Sequence, residues 1–293
     1  MLFKLSIASC LAALMLVFAC AQPAGDQLSG NEDSLSSRAT GTLINPAGTT
    51  ICTRFIPPPG FERAVEDNHS FQYFLRNLPL KPRGAEVKLY NGEIKENRGV
   101  YDAVVDMDIG TRDLHQCADA VIRLRAEYLY GQDRHDQIHF NFTNGFRVDY
   151  SEWMKGKRVR VDGNKAWWVQ TAKPSDTYSD FWNYLETVFM YAGTISLSKE
   201  LKPAAISDIQ TGDVFIRGGS PGHAVIIVDM ATDKEDRKVF LLAQSYMPAQ
   251  ELQVLKNSGN EQLSPWYAAD FGEILRTPEW NFGKNNLKRF AGE

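Results

Sequence analysis

The sequence lacks two features that accompany a highly charged partner: it has no long run of lysine and arginine, and it has no long acidic tail. Its 32 basic and 36 acidic residues leave a net charge of −4. Binding to nucleic acid needs clustered basic side chains that neutralise phosphates, so no nucleic-acid partner is expected. With 293 residues, 43% of them hydrophobic, the chain is long enough to bury a substantial core.

The chain also lacks an apolar run of full membrane-spanning length. The run from Leu5 to Ala19 covers roughly 15 positions, fewer than the ~20 of a transmembrane helix, and follows one basic residue, Lys4, as in a signal peptide. It ends in LVFAC, which resembles a bacterial lipobox. Residues 1–20 are therefore predicted to be a lipoprotein signal peptide with lipidation at Cys20; plain secretory cleavage is the alternative. We expect an exported protein that this lipid anchors to a bacterial membrane, and the alanine after the cysteine favours the outer membrane.

Cysteine is scarce, with four residues in the chain. Cys10 would leave with the signal peptide and Cys20 would carry the lipid, so the folded region retains Cys52 and Cys117. In an exported protein these two could form a disulfide. They could equally be one structural and one reactive thiol, and the sequence leaves both alternatives open.

The segment 21–45 has few apolar residues and is rich in serine, glycine, asparagine and aspartate. Such a composition does not bury enough surface to order a chain, so this segment is predicted to be a flexible tether. Residues 46–293 are expected to form a single domain, and no internal repeat is visible in them.

Periodicity in this region predicts helices first and antiparallel strands after, which is typical of the α+β class. Apolar residues recur at helical spacing over 117–132 and over 179–197, where Ser179 is the expected N-cap. The stretch 136–150 has the pattern of a hairpin with an Asn-Gly turn. Three short β-rich runs follow: DVFIRG, HAVIIVD and KVFLLAQSY.

Cys117 opens the first of these helices. Asp113 is expected as its N-cap, and Gln116, three residues on, as the second half of a capping box. Backbone N–H groups and the helix dipole at such a terminus favour a thiolate. A cysteine there can equally be a small buried hydrophobic residue, so position alone does not decide between the two.

His223 begins the second of the three β-rich runs, and Asp229 closes it. Folding the hairpin about residue 234 places His223 opposite Gln244 and Ser245. A polar side chain at that position would fix the orientation and tautomer of an imidazole. The alternative is a buried histidine that a glutamine satisfies for structural reasons.

This order of residues resembles the papain-like cell-wall amidases and peptidases of the NlpC-type superfamily. Their pattern is a cysteine at a helix start, Gly-Asp before a strand, a histidine on a strand, and then a polar residue; Gly212-Asp213 and Gly222-His223 match it in order. Over most of 50–290 the chain also resembles an uncharacterised family of bacterial lipoproteins, a domain of unknown function. The blocks that carry this second resemblance are LHQCADAVIRLRAEYLYG, HFNFTNGF and VFMYAGTISL.

The NlpC-type resemblance implies a papain-like α+β core with insertions, in which the helix-borne cysteine packs on an antiparallel sheet. Cys117 would attack a carbonyl as a thiolate, His223 would pair with it and protonate the leaving amine, and Gln244 would orient His223. The candidate supporting residues are Gln116, Asp113, Ser245 and Asp229. The implied activity is thiol-dependent hydrolysis or transfer at an amide bond of an envelope peptide or peptidoglycan-like substrate, without a cofactor; an ester or lipid amide is a further alternative.

A second hypothesis belongs to another class: a non-catalytic binding or scaffold lipoprotein on the same fold, with Cys117 inert or bridged to Cys52. Two other features carry no predicted chemistry. The histidines of HDQIH, at 135–139, start a strand, where their spacing does not suit a shared metal, and no metal site is expected. The segment RTPEWNFG near the end is interpreted as a closing segment that packs on the body.

Overall fold

The computed structural model describes residues 42–292. Its helices are α1 (Ile51–Arg54), α2 (Phe71–Arg76), α3 (Cys117–Gly131), α4 (Tyr150–Met154), α5 (Tyr178–Tyr191) and α6 (Thr194–Glu200). Within this described part, no helix has both the length and the apolar character to cross a membrane.

The strands are short, and most of them follow the helices. They are β1 (Tyr101–Val104), β2 (His139–Asn141), β3 (Arg147–Asp149), β4 (Lys157–Asp162), β5 (Lys165–Gln170), β6 (Lys202–Pro203), β7 (Val214–Arg217), β8 (His223–Thr232), β9 (Lys238–Gln244), β10 (Gln253–Leu255), β11 (Tyr267–Ala268), β12 (Ile274–Arg276), β13 (Asn281–Gly283) and β14 (Leu287–Arg289). The protein is therefore a mixed α+β fold, as its sequence pattern predicts.

One eight-stranded antiparallel sheet organises the molecule. Its strand order is β1-β10-β9-β8-β7-β14-β6, and β11 pairs with the remaining length of β9. Three separate hairpins pair β2 with β3, β4 with β5, and β12 with β13. Two of the three β-rich runs, β8 and β9, lie at the centre of the large sheet.

The strand β8 is buried on both faces, which explains its continuous apolar sequence. Ala224 and Ile226 face a core cluster that they share with α3, whereas Val225 and Ile227 face a second cluster on the other side of the sheet. Because side chains alternate along a strand, His223 lies on the face of the second cluster. The helix α3 packs against β8 from the first side.

The Gly-Asp pair before β7 has a structural explanation. Gly212 has φ of +96°, a conformation that favours glycine, and a Cβ there would press against the ring of Phe71. Asp213 is fully buried, and its carboxylate binds Arg289 of β14 at 2.6 Å. This half of the sequence motif therefore holds the edge of the sheet together.

Two predicted boundaries differ from the structure. The helix expected over 179–197 is two helices, α5 and α6, and the N-cap of α5 is Thr177 rather than Ser179, because the Thr177 hydroxyl accepts the N–H of Asp180 at 3.3 Å. The predicted tether also overlaps the fold by a few residues, since Ile44 forms a β-bridge with Phe55. The predicted signal peptide and Cys20 lie outside the described residues.

Candidate active site

The helix α3 begins at Cys117, as expected, but a different residue caps it. Gln116 occupies the N-cap position, and its N–H donates to the carboxylate of Asp119 at 3.1 Å. The predicted capping box with Asp113 is therefore wrong. Asp113 Oδ1 instead accepts from Gln116 Nε2 at 3.1 Å and from the N–H of Ala249 at 2.7 Å, so it fastens the segment before α3 to the segment after β9.

Cys117 lies in the wall of a cavity of about 390 Å³. The rest of this wall comes from the segment before α3, the end of α5, the start of α6, the loop between β7 and β8, and Met247. Its lining side chains include the carboxylates of Asp113 and Asp119 and the apolar groups of Phe189, Met190 and Met247, with no lysine or arginine among the described lining residues.

The thiol of Cys117 is held in its neutral form. Burial, and next the charge of Asp119, raise its pKa to about 11, although backbone N–H groups of Ala118, Ala224 and Cys117 itself act in the opposite direction. Burial also raises the pKa of Asp119 to about 8, so this carboxyl group is itself mostly protonated at neutral pH.

His223 reaches Gln244 along a diagonal of the sheet. The pairing of Ile226 with Ala243, continued back to the start of β8, places Tyr246 directly opposite His223. Gln244 lies two residues before Tyr246 and so on the same face. The distance from His223 Nε2 to Gln244 Oε1 is 2.8 Å. The structure therefore brings these two predicted residues together.

Aromatic rings enclose the imidazole of His223. Its centroid lies 4.9 Å from that of Tyr246, 5.4 Å from that of Trp280 and 6.1 Å from that of Phe282. Burial among these rings lowers the pKa of His223 to about 4, although the hydrogen bond with Gln244 acts to raise it. The ring is therefore neutral at physiological pH.

Sequence reasoning missed the next members of this network. Gln244 Nε2 donates to Glu279 Oε2 at 2.5 Å, and Lys95 Nζ donates to the same oxygen at 2.7 Å. Lys95, only 5% exposed, also donates to Gln250 Oε1 at 2.9 Å. A continuous chain of hydrogen bonds therefore runs from His223 to a buried ion pair.

Glu279 comes from the segment that was interpreted as a closing segment without chemistry. Its four-residue turn joins β12 to β13, and Thr277 closes it: the N–H of Thr277 donates to the carbonyl of Trp280 at 2.9 Å, while its hydroxyl accepts from the N–H of Trp280 at 3.2 Å. This turn delivers Glu279 to Gln244 and Trp280 to His223 at the same time.

The thiol of Cys117 lies close to the peptide unit that joins His223 to Ala224. The N–H of Ala224, which lowers the pKa of the Cys117 thiol, belongs to the residue after His223. Between the described side chains of Cys117 and His223 themselves, there is no hydrogen bond. The thiol therefore lies near the start of β8, where His223 is, but the two side chains are not a hydrogen-bonded pair.

Ser245 holds the segment that precedes α3. Its hydroxyl lies 2.8 Å from the carbonyl of His115 and 2.7 Å from the carbonyl of Gln250. The hydroxyl of Ser245 is thus directed at these two carbonyls and not at His223. The contact with His223 is made by the adjacent residue, Gln244.

Asp229 lies away from the site. Six residues of extended strand separate it from His223, a distance of about 20 Å. Its fully buried carboxylate binds Arg63 at 2.7 Å and Arg76 at 2.8 Å. Asp229 is therefore an ion-pair anchor of the fold and does not support the imidazole.

Both cysteines of the described region are free, Cys52 half-buried and Cys117 buried, so the disulfide alternative is not realised in this structure. Among residues 42–292, no group of three or more metal-binding side chains is arranged around a common point.

No curated protein and no solved structure matches this chain. A family model, described as a domain of unknown function (4846), matches residues 51–289. This match spans α1 to β14 and so includes Cys117, His223, Gln244 and Glu279. The chain therefore belongs to the family of domain of unknown function 4846.

Proposed function

We propose that this protein is a cysteine-dependent hydrolase or transferase of papain-like character that acts on an amide bond of a cell-envelope peptide. The observation that carries the proposal is the arrangement at the start of β8. There a cysteine at a helix start, in the wall of a cavity, adjoins the peptide unit of a histidine that Gln244 binds at 2.8 Å.

The proposed reaction starts from a neutral thiol and a neutral imidazole. His223 accepts the thiol proton as Sγ of Cys117 attacks the carbonyl carbon, and it then passes that proton to the leaving amine as the C–N bond breaks. Water, or another nucleophile in a transfer reaction, attacks the resulting thioester and restores the thiol. In this reaction the proton moves from Cys117 to His223 during the attack, whereas the NlpC-type resemblance implies that the two residues form an ion pair before substrate binds.

The cavity favours a neutral or cationic substrate over an acidic one. Asp113 lines it, the carboxyl group of Asp119 beside it is mostly protonated at neutral pH, and the described lining residues include no basic side chain. The phenylalanine and the methionines of the lining add apolar surface for a substrate side chain. An envelope peptide suits an exported protein, and we propose that a lipid on Cys20 anchors the domain to a bacterial membrane.

The test is digestion of purified peptidoglycan and its synthetic stem peptides by the full chain, with new amino groups and fragment masses as the measurement. We expect product from the wild type and a mass adduct on Cys117 when the reaction is stopped with acid. Cys117→Ala and His223→Ala should each lose at least about a thousandfold in rate. Cys52→Ser is the matched control and should retain full activity; equal product from Cys117→Ala would exclude the proposal.

A second function, a non-catalytic binding or scaffold protein, has its own support. The buried thiol with its raised pKa and the missing hydrogen bond to His223 are what an unreactive cysteine would show. This alternative predicts that wild type and Cys117→Ala bind the same envelope peptides equally well and that neither cleaves them.

A further inference from the structure

The hydrogen bond between His223 and Gln244 does not by itself define the state of the imidazole. A glutamine amide presents an oxygen that accepts and a nitrogen that donates. If the amide turned over, its nitrogen would donate to His223 Nε2, and the ring proton would move to Nδ1. Something else has to fix the direction of this amide.

Glu279 is placed to do so. A carboxylate only accepts hydrogen bonds, so the group of Gln244 that lies 2.5 Å from Glu279 Oε2 has to be the amide nitrogen. Lys95, which only donates, gives a second hydrogen bond to the same carboxylate oxygen at 2.7 Å. The Glu279 side chain is 12% exposed, so water does not compete freely for it.

The direction of the Gln244 amide determines the tautomer of His223. With its nitrogen committed to Glu279, Gln244 turns its oxygen to His223, and Nε2 of the neutral ring has to carry the proton. The lone pair is then on Nδ1, the nitrogen that can accept the thiol proton.

We infer that Glu279 is a positioning residue, which acts through Gln244 to fix His223 in the tautomer with the proton on Nε2. As a step of catalysis the inference rests on the proposed function, whereas the tautomer itself is a property of the resting protein. Lys95 completes the unit by balancing the charge of the buried carboxylate.

The test is ¹⁵N nuclear magnetic resonance of the full chain labelled at histidine, at pH 7. Long-range proton–nitrogen correlations distinguish the protonated ring nitrogen from the bare one, and the signals lost in His223→Gln assign His223 among the five histidines. We expect one tautomer with the proton on Nε2 in the wild type. In Glu279→Gln, whose amide can donate as well as accept, we expect a mixture or the opposite tautomer.

The functional readout is the rate at which iodoacetamide alkylates Cys117 in a full chain whose other cysteines are serine. Glu279→Gln should lower this rate on the order of tenfold. The matched control is Glu273→Gln, which removes an exposed ion pair with Lys284 in the same part of the chain and should change neither the spectrum nor the rate.

Two results would overturn the inference: a wild-type His223 with its proton on Nδ1, or a Glu279→Gln spectrum identical to that of the wild type. The first needs no Glu279 variant, so the inference stays testable if Glu279→Gln does not fold. The expected spectra without any peptide cleavage would refute the proposed function and leave the positioning role in place. Cleavage by a protein whose His223 carries its proton on Nδ1 would do the reverse.

Discussion

At the scale of single residues, burial outweighs the helix terminus at Cys117. The pKa of the thiol rises from 9.0 to about 11. Since one pKa unit corresponds to about 1.4 kcal/mol, burial and the Asp119 charge disfavour the thiolate by about 3 kcal/mol. A helix terminus typically contributes only about 0.3–1 kcal/mol. The helix start is therefore a correct prediction, whereas the expected stabilisation of a thiolate does not dominate at rest.

The reactivity of Cys117 should show the two pKa values of the site. Between about pH 4 and about pH 11 the Cys117 thiol is protonated and the His223 imidazole is neutral. In this form the imidazole can accept the thiol proton during attack. We expect the alkylation rate to rise as pH increases through about 4, to stay level, and to rise again towards 11 as free thiolate forms. His223→Ala should lose the lower step alone; superimposable profiles would show that the histidine does not assist the thiol.

Asp119 should make the folded protein less stable as pH rises. Its pKa is raised from 3.8 to about 8, so between these values the folded chain keeps a proton that the unfolded chain has released. The free energy of unfolding contributed by this group therefore falls from about pH 4 to about pH 8, by ~1.4 kcal/mol per pH unit at most.

In Asp119→Asn this part of the pH dependence should disappear. Urea unfolding at pH 5, 6, 7 and 8 measures it, and the slope is the quantity to compare, because any fixed cost of the new amide is the same at every pH. An unchanged slope would show that Asp119 is ionised in the folded state.

At the scale of elements, the sequence pattern predicts local structure well and tertiary partners only in part. Helical spacing identifies α3, and the apolar runs identify β7, β8 and β9. The contact of His223 with Gln244 follows from folding the hairpin, although the register places Tyr246 directly opposite. This success reflects a short connection, because a tight hairpin leaves few possible registers.

Glu279 shows where such reasoning ends. It lies in a turn without periodicity, 35 residues after Gln244, and its partner Lys95 lies in a loop far earlier in the chain. Only the three-dimensional path of the chain brings them together. The sole local signal is a charged residue next to a tryptophan, which is too common a pattern to indicate a site.

The ion pairs of Asp229 connect α2 and the preceding loop to β8, and we expect them to carry much of the stability of that contact. Asp229→Asn leaves two guanidinium groups without their carboxylate and should lower the free energy of unfolding by about 3–5 kcal/mol. Urea denaturation measures the change. Glu273→Gln, at an exposed pair, should cost less than about 1 kcal/mol, and an equally small effect at Asp229 would refute the structural role.

At the scale of the whole molecule, the proposed location depends on one residue outside the described region. If Cys20 carries a lipid, Cys20→Ser should move the protein from the membrane fraction to the soluble fraction, and labelling with a radioactive fatty acid should be lost. Cys10→Ser is the control. Cys10 would be cleaved off with the signal peptide and is absent from the mature protein, so this substitution should leave membrane association unchanged. Membrane association that survives Cys20→Ser would contradict the lipid anchor.

The turn between β12 and β13 is synthesised after both Cys117 and His223. A ribosome makes Cys117 and His223 long before it makes Glu279 and Trp280, so a nascent chain carries the reacting groups without the residues that orient and cover the imidazole. Under the proposed mechanism, a chain that has been translated only as far as β12, or one that a protease has cleaved before β12, has no hydrolase activity. The imidazole can therefore be oriented only after the turn between β12 and β13 has been made and folded, later than the synthesis of Cys117 and His223.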